Sequence, residues 1–116
     1  MIWKRNPAVY LEVNEFVFPF KRIEKDSRVI LYGAGDVGQA YYKQIKQTNY
    51  CKVIAWADRR IDVDVDEKSE FKWVRPHEIV SYEFDYVIIA INSVYVCSQV
   101  EIFLVKEGIN SNKIVY

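Results

Sequence analysis

The chain has 116 residues, of which 51% are apolar, 16% aromatic and 28% charged, a composition that fits one globular domain with enough large side chains for a true core. Sixteen Lys and Arg balance sixteen Asp and Glu, which excludes a broadly basic binder of nucleic acid or anionic membrane, because counterion release needs an excess of positive charge. The length leaves no room in this sequence for a ligand domain followed by a separate catalytic domain.

Cys51, Cys97 and the single His77 are too few and too widely spaced for a disulfide scaffold or a zinc site. Both thiols are expected to be small buried groups in a reducing compartment. Charges and a proline interrupt any signal-peptide core in MIWKRNPAVYLEVNEF. The longest clean apolar run, Tyr86–Ile91, has six residues and cannot span a bilayer. The expected location is cytoplasmic, with no membrane insertion.

Residues 1–27 read as a lead-in to a domain over 28–116. Within it EFVFPFKRI (15–23) is the most strand-like piece. Phe16, Phe18 and Phe20 alternate, so an extended backbone puts the three rings on one side, while Pro19 restricts the segment to an edge strand or an approach to one. Lys25-Asp26-Ser27 reads as a turn. RVILY (28–32) has the character of a buried strand ending at Gly33. Val37, Tyr41 and Ile45 recur every four residues and predict a helix from Asp36 to Thr48, stopped at Asn49.

KVIAWA (52–57) predicts a second buried strand ending at Asp58, and RRIDVDVDEKSE (59–70) a polar surface loop. EFKWV (70–74) is a third short strand, with Pro76 opening a brief helix to about Ser81. DYVIIAI (85–91) is the strongest strand in the chain. Asn92 or Ser93 can cap a helix through Glu107, with Gly108 as its stop, and KIVY (113–116) closes as a fifth strand. Continuous apolar strands alternating with helices imply a parallel sheet covered on both faces. The expected fold is α/β, a Rossmann-like doubly wound sheet with strand order 3-2-1-4-5.

Gly33-Ala34-Gly35-Asp36-Val37-Gly38 matches G-x-G-x-x-G, follows a strand, opens a helix, and precedes a second strand ending in Asp58, which is the context of a dinucleotide-binding loop. Gly33 permits the tight turn, Gly35 lets backbone amides approach a pyrophosphate, and Gly38 lets the helix pack closely on the sheet. The helix N-terminus supplies an anion site, and Asp58 can accept hydrogen bonds from a ribose. Gly33 and Gly38 would serve turn and packing even in an empty cleft. Asp36 satisfies the helix dipole by itself and repels a nearby phosphate. Asp58 favours a free ribose and hence NAD. Arg59, with Arg60, fits a 2′-phosphate and hence NADP, or a phosphate of coenzyme A, but also fits a solvated loop. Asn92-Ser93 faces the glycine loop across the switch point, where open α/β sheets place ligand contacts, and can equally act as a helix cap.

Three further motifs fail on context. Tyr42-x-x-x-Lys46 has a dehydrogenase-like spacing but lies on the first helix. Asp62, Asp64 and Asp66 alternate like a calcium loop, yet Glu67 replaces the required glycine and Trp73 the final glutamate. His77 has no evident nucleophile or metal partner and reads as a surface or capping residue. No catalytic or metal-binding residue is assigned.

The stretches RVILYGAGDVGQAYYKQI, VIAWADRR, EFKWVRPHEIV and DYVIIAINS resemble the N-terminal Rossmann-like domain of bacterial polysaccharide-biosynthesis nucleotide-sugar dehydratases and epimerases, described as NAD-binding or CoA-binding-like. The chain is also similar to modules attached to capsule and cell-wall glycosyltransferases, in which a lead-in like EFVFPF precedes the glycine loop. The resemblance covers residues 15–116, and its more selective parts are Arg75-Pro76 and Asn92-Ser93. It implies that Gly33, Gly35 and Gly38 are phosphate-loop positions, Asp58 the ribose-facing acid, and Asn92-Ser93 the second loop of the cleft.

The downstream half with a catalytic Tyr/Lys pair is not in this sequence. The resemblance therefore implies a non-catalytic module that binds an NAD-like nucleotide, with coenzyme A or a nucleotide-sugar also compatible, and that belongs to or serves a glycosyltransferase or dehydratase. The alternative is a structural or oligomerisation domain with an empty cleft, resting on Asp36 and on the rings of Trp3, Tyr10, Phe16, Phe18 and Phe20. A complete small oxidoreductase is disfavoured because nothing beyond the cofactor cleft supplies an acid, a base or a substrate site.

Overall fold

The run of β-branched and aromatic residues at 28–32 forms the central strand, β1 (Arg28–Tyr32), of a five-stranded parallel sheet in the order β3-β2-β1-β4-β5. The computed structural model describes residues 16–59 and 70–116. After β1 come α1 (Asp36–Thr48), β2 (Lys52–Ala57) and β3 (Lys72–Val74), then a 3-10 helix over Pro76–Ser81. The chain continues with β4 (Tyr86–Ile89), α2 (Val94–Lys106), a 3-10 turn at Ser111–Lys113, and β5 (Ile114–Val115). This is the expected doubly wound α/β arrangement. The acidic stretch containing Arg60, Asp62, Asp64 and Asp66, and the segment containing Trp3 and Tyr10, lie outside the described residues.

The strands are apolar on both faces because each face carries its own core. Val29, Leu31, Val53, Trp56, Ile88 and Val115 pack with Ile45 of α1 and with Phe18 and Ile23 of the lead-in. Ile30, Tyr32, Ala55, Ala57, Val74, Val87 and Ile89 pack with Ile79 of the Pro76–Ser81 helix and with Cys97 and Leu104 of α2. The alternation slips once. A bulge between Val29 and Ile30 in the pairing of β1 with β2 matches Val29 to Val53 but Ile30 to Ala55. Ile54 and Ala55 therefore both serve the α2 face, and Trp56 swings to the α1 face.

Helix ends follow their sequence signals. Asn49 takes the left-handed conformation (φ 51°) at the end of α1. Ser93 Oγ accepts from Val96 N at 3.2 Å and caps α2. At the other end of α2, Gly108 has φ 105°, its N–H donates to Val105 O, and Ile109 N donates to Leu104 O. This is the paired Schellman closure, with Leu104 and Ile109 both buried beneath it.

The lead-in departs from its expected form. Residues 16–19 are not a strand, and Phe20–Arg22 forms a 3-10 turn behind Pro19. A side chain substitutes for a neighbouring strand. Gln44 of α1 donates from Nε2 to Phe16 O (2.6 Å) and accepts at Oε1 from Phe18 N (2.9 Å), so its amide satisfies the backbone that a ladder would otherwise pair. Phe18 is buried edge-on to Phe20 and Tyr41, and Phe20 packs on Tyr50. These rings cover α1 and the sheet. Both cysteines are buried, and burial alone pushes the Cys51 thiol up to about 11. Among the described residues no helix is long and apolar enough to cross a membrane.

One carboxylate ties the starts of β1 and β4. Asp85 Oδ2 accepts from Arg28 N at 2.7 Å, and Asp85 N donates to Arg28 O at 2.8 Å. The Arg28 amide is the main cause that holds this carboxyl below its ordinary value of 3.8. A lowered folded pKa contributes stability that is complete above the unfolded value and is lost as the pH falls through the folded one. Asp85→Asn should therefore lower the denaturant midpoint at neutral pH and converge with the wild type in strong acid. An equal loss at both pH values would refute this role.

Candidate functional site

Beyond the carboxyl ends of β1 and β4 the chain departs in opposite directions, to α1 on one face and α2 on the other, and opens the crevice that such sheets use for ligands. A cleft of about 380 Å³ lies there. Gly33, Ala34, Gly35, Asp36 and Val37 form one side, Asp58 and Arg59 the β2 end, and Ala90, Ile91 and Asn92 the β4 end. Eight of the ten sequence-derived positions are thus gathered around one space. Gly38 and Ser93 do not line it. Gly38 serves the approach of α1 to the sheet, and Ser93 serves the α2 cap.

The glycines divide by what a Cβ would meet. At Gly33, with φ 108°, it would lie 2.7 Å from Ala90 O, and at Gly38 only 2.0 Å from Gly33 O. Both positions are fixed by the fold. At Gly35 a Cβ would meet nothing within 4 Å, and the backbone is extended at φ −82°. Gly35 is the N-cap of α1 and supplies no side-chain cap bond, so the first-turn amides of the helix border the cleft without one.

Three hydrogen bonds hold the loop. Gly33 N donates to Ala57 O (2.7 Å), Trp56 Nε1 donates to Gly33 O (2.8 Å), and Ala34 N donates to Asp58 Oδ2 (2.8 Å). Trp56 is in turn stacked on Trp73, with ring centroids 4.8 Å apart, and flanked by Tyr42 and Phe71. Sequence reasoning missed Trp56; an indole donor two residues before the acid that closes its strand was the available signal. Asp58 is 7% exposed, and its carboxylate braces the glycine loop. Asp36, by contrast, is exposed at the lip.

A second cleft, about 690 Å³, adjoins the first and shares Tyr32, Arg59, Ile91 and Val96 with it. Arg75, Pro76 and His77 form one wall, and Gln99, Val100 and Phe103 of α2 the other. It lies on the α2 face, where the crossover from β3 to β4 contains no helix longer than the six-residue 3-10 helix. His77, read from sequence as a surface or capping residue, lines this cleft. Burial raises the Tyr32 phenol above its ordinary value of 10, an effect that Arg59 opposes and Asp58 reinforces, so Tyr32 is a neutral hydroxyl at neutral pH. Neither cleft is lined, among the described residues, by a serine, threonine, cysteine or lysine. Lys46 instead pairs with Glu70, and Tyr42 packs on Trp56 and Phe71.

The fold and its glycine loop define a doubly wound α/β domain with a cleft at the sheet's switch point. The chain belongs to the C2185-like, N-terminal family, whose model matches residues 25–115. No curated protein matches the chain.

Replacing Trp56 by Phe keeps an aromatic ring in the stack, loses the rest of the bicycle's packing and leaves the buried Gly33 carbonyl without its indole donor. The cost should be about 1–3 kcal/mol, read from chemical denaturation. A loss below roughly 0.5 kcal/mol would mean that the bond does not hold the loop.

Proposed function

We propose that this domain binds a nucleotide-type small molecule, NAD or NADP in the first instance, across Gly33–Val37 and Asn92, and performs no chemistry of its own. The observation that carries this reading is Gly35. Packing requires the other two loop glycines, whereas Gly35 borders open space at the uncapped start of α1. Glycine suits the N-cap of α1 in any case, and here the missing side chain also lets an anionic group come close to the backbone amides. Among the described residues, lining groups without a serine, cysteine, threonine or lysine nucleophile fit binding better than turnover. The resemblance to nucleotide-sugar dehydratases and glycosyltransferase-associated modules supports a role in bacterial cell-surface polysaccharide or nucleotide-sugar metabolism. On this reading the domain serves a catalytic partner domain.

The competing reading is a structural or oligomerisation domain whose cleft stays empty. It draws on Asp36, which already balances the α1 dipole, and on the outward side of α2, where Tyr95 is 72% and Ile102 49% exposed. The test of this alternative is sedimentation of the wild type against Ile102→Ser. A wild-type dimer dissociated by the substitution would support it, and an unchanged monomer would refute it.

Calorimetry with NAD, NADP, coenzyme A and a UDP-sugar decides the binding reading, and no binding at millimolar concentration would overturn it. Gly35→Ala should weaken the bound nucleotide roughly tenfold or more, while folding stability changes by only about 1 kcal/mol. Unchanged affinity would move the ligand away from the glycine loop. Asp36→Asn should tighten the same ligand several-fold, because the first turn then carries no competing negative charge.

A further inference from the structure

We infer that the second cleft is a subsite for a phosphomonoester carried by the bound nucleotide, held by Arg59, Arg75 and His77. This rests on the nucleotide reading of the first cleft. The three residues line one space from separate places, Arg59 at the end of β2 and Arg75 and His77 after β3, against the α2 wall of Val96, Val100 and Phe103. Arg59 borders both clefts, so one ligand can occupy the glycine-loop crevice and extend a further group past Arg59.

Charge separates the two spaces. Among its described lining residues the first cleft holds the carboxylates of Asp36 and Asp58 and one cation, Arg59. Among the described lining residues of the second, the charged side chains are the arginines, and His77 adds a ring N–H donor. The nearest carboxylate in sequence, Glu78, is engaged elsewhere: its Oε1 accepts from Arg75 N at 2.8 Å, while Glu78 N donates to Arg75 O at 2.9 Å. Those two bonds fix the Arg75 backbone, and Arg75 is exposed where it lines the cleft. A planar guanidinium fork matches two phosphate oxygens at once, and two forks with an imidazole give a doubly negative monoester more partners than a ribose hydroxyl would use. Asp58 does not oppose this assignment as a ribose-reading acid would, because its Oδ2 is occupied by the Ala34 amide and it does not line the second cleft.

The experiment uses matched ligand pairs that differ by one phosphomonoester: NADP against NAD, and coenzyme A against its 3′-dephospho form. Calorimetry of the full chain should find the phosphorylated member of at least one pair bound roughly tenfold or more tightly, and the preferred pair identifies which nucleotide carries the group. Arg75→Gln and His77→Gln should each erode that preference while leaving the dephosphorylated partner's affinity unchanged. Raising the salt concentration should narrow it as well. Equal binding within both pairs, or a loss that Arg75→Gln spreads equally over both members, overturns the subsite and leaves the nucleotide reading standing. No binding of any of the four ligands overturns both.

Discussion

The close approach of α1 to the turn that follows β1 is the constraint on which the rest of the structure depends. The Gly38 backbone lies against the Gly33 carbonyl, so near that a methyl group would sit 2.0 Å from that oxygen. Helix and turn can meet this closely only because Gly33 takes a positive φ and Gly38 carries no side chain. A carbonyl buried at such a junction needs a donor, and Trp56 Nε1 supplies it. The aromatic stack of Trp56, Trp73, Phe71 and Tyr42 holds that indole in place. The anchor is therefore a largely apolar assembly in which the Trp56 indole N–H serves the loop.

The bulge in the pairing of β1 with β2 makes this anchor possible. With strict alternation from Val53, position 56 would face α2 and position 57 would face α1. The extra residue at Ile54 reverses them, so Trp56 lies beneath the glycine loop and the small Ala57 lies beneath α2. The same local irregularity thus sets the first cleft, because it provides the indole that fixes the glycine-loop wall.

Most of the fold was legible because its signals are local and mutually consistent. Four-residue spacing set α1, unbroken apolar runs set the interior strands, and Ser93, Asn49 and Gly108 acted at the helix ends as their chemistry dictates. Two features were not legible. A bulge changes pairing by one residue without a composition signal, so the side on which Trp56 faces could not be read from KVIAWA. In EFVFPF the alternation of rings suggested a strand, but the backbone partner is the side-chain amide of Gln44, 28 positions from Phe16 in sequence, and no periodicity announces such a bond. Of the candidate site, the glycine loop and Asp58 were legible because a motif carries them, and Asn92 because it follows the fourth strand at the switch point. Arg75 and His77 were not assigned to a cleft, because only the shortness of the β3–β4 crossover brings them opposite α2.

Neutral composition hides a separation of charge at the place where it matters. Asp36 and Asp58 stand at the glycine loop, while Arg59, Arg75 and His77 surround the adjoining space. With no net charge to attract an anion from a distance, selectivity has to arise at contact, within about a Debye length of 8–10 Å. A ligand uniformly rich in phosphate would meet repulsion from Asp36, and a neutral one would leave the arginines unused. Under the proposed nucleotide reading, the α1 amides at Gly35 would meet one anionic part of the ligand, and Arg59, Arg75 and His77 a second one beyond it. The two spaces follow from the topology, since the sheet's reversal at β1 and β4 places the glycine loop beside one and the short β3–β4 crossover beside the other.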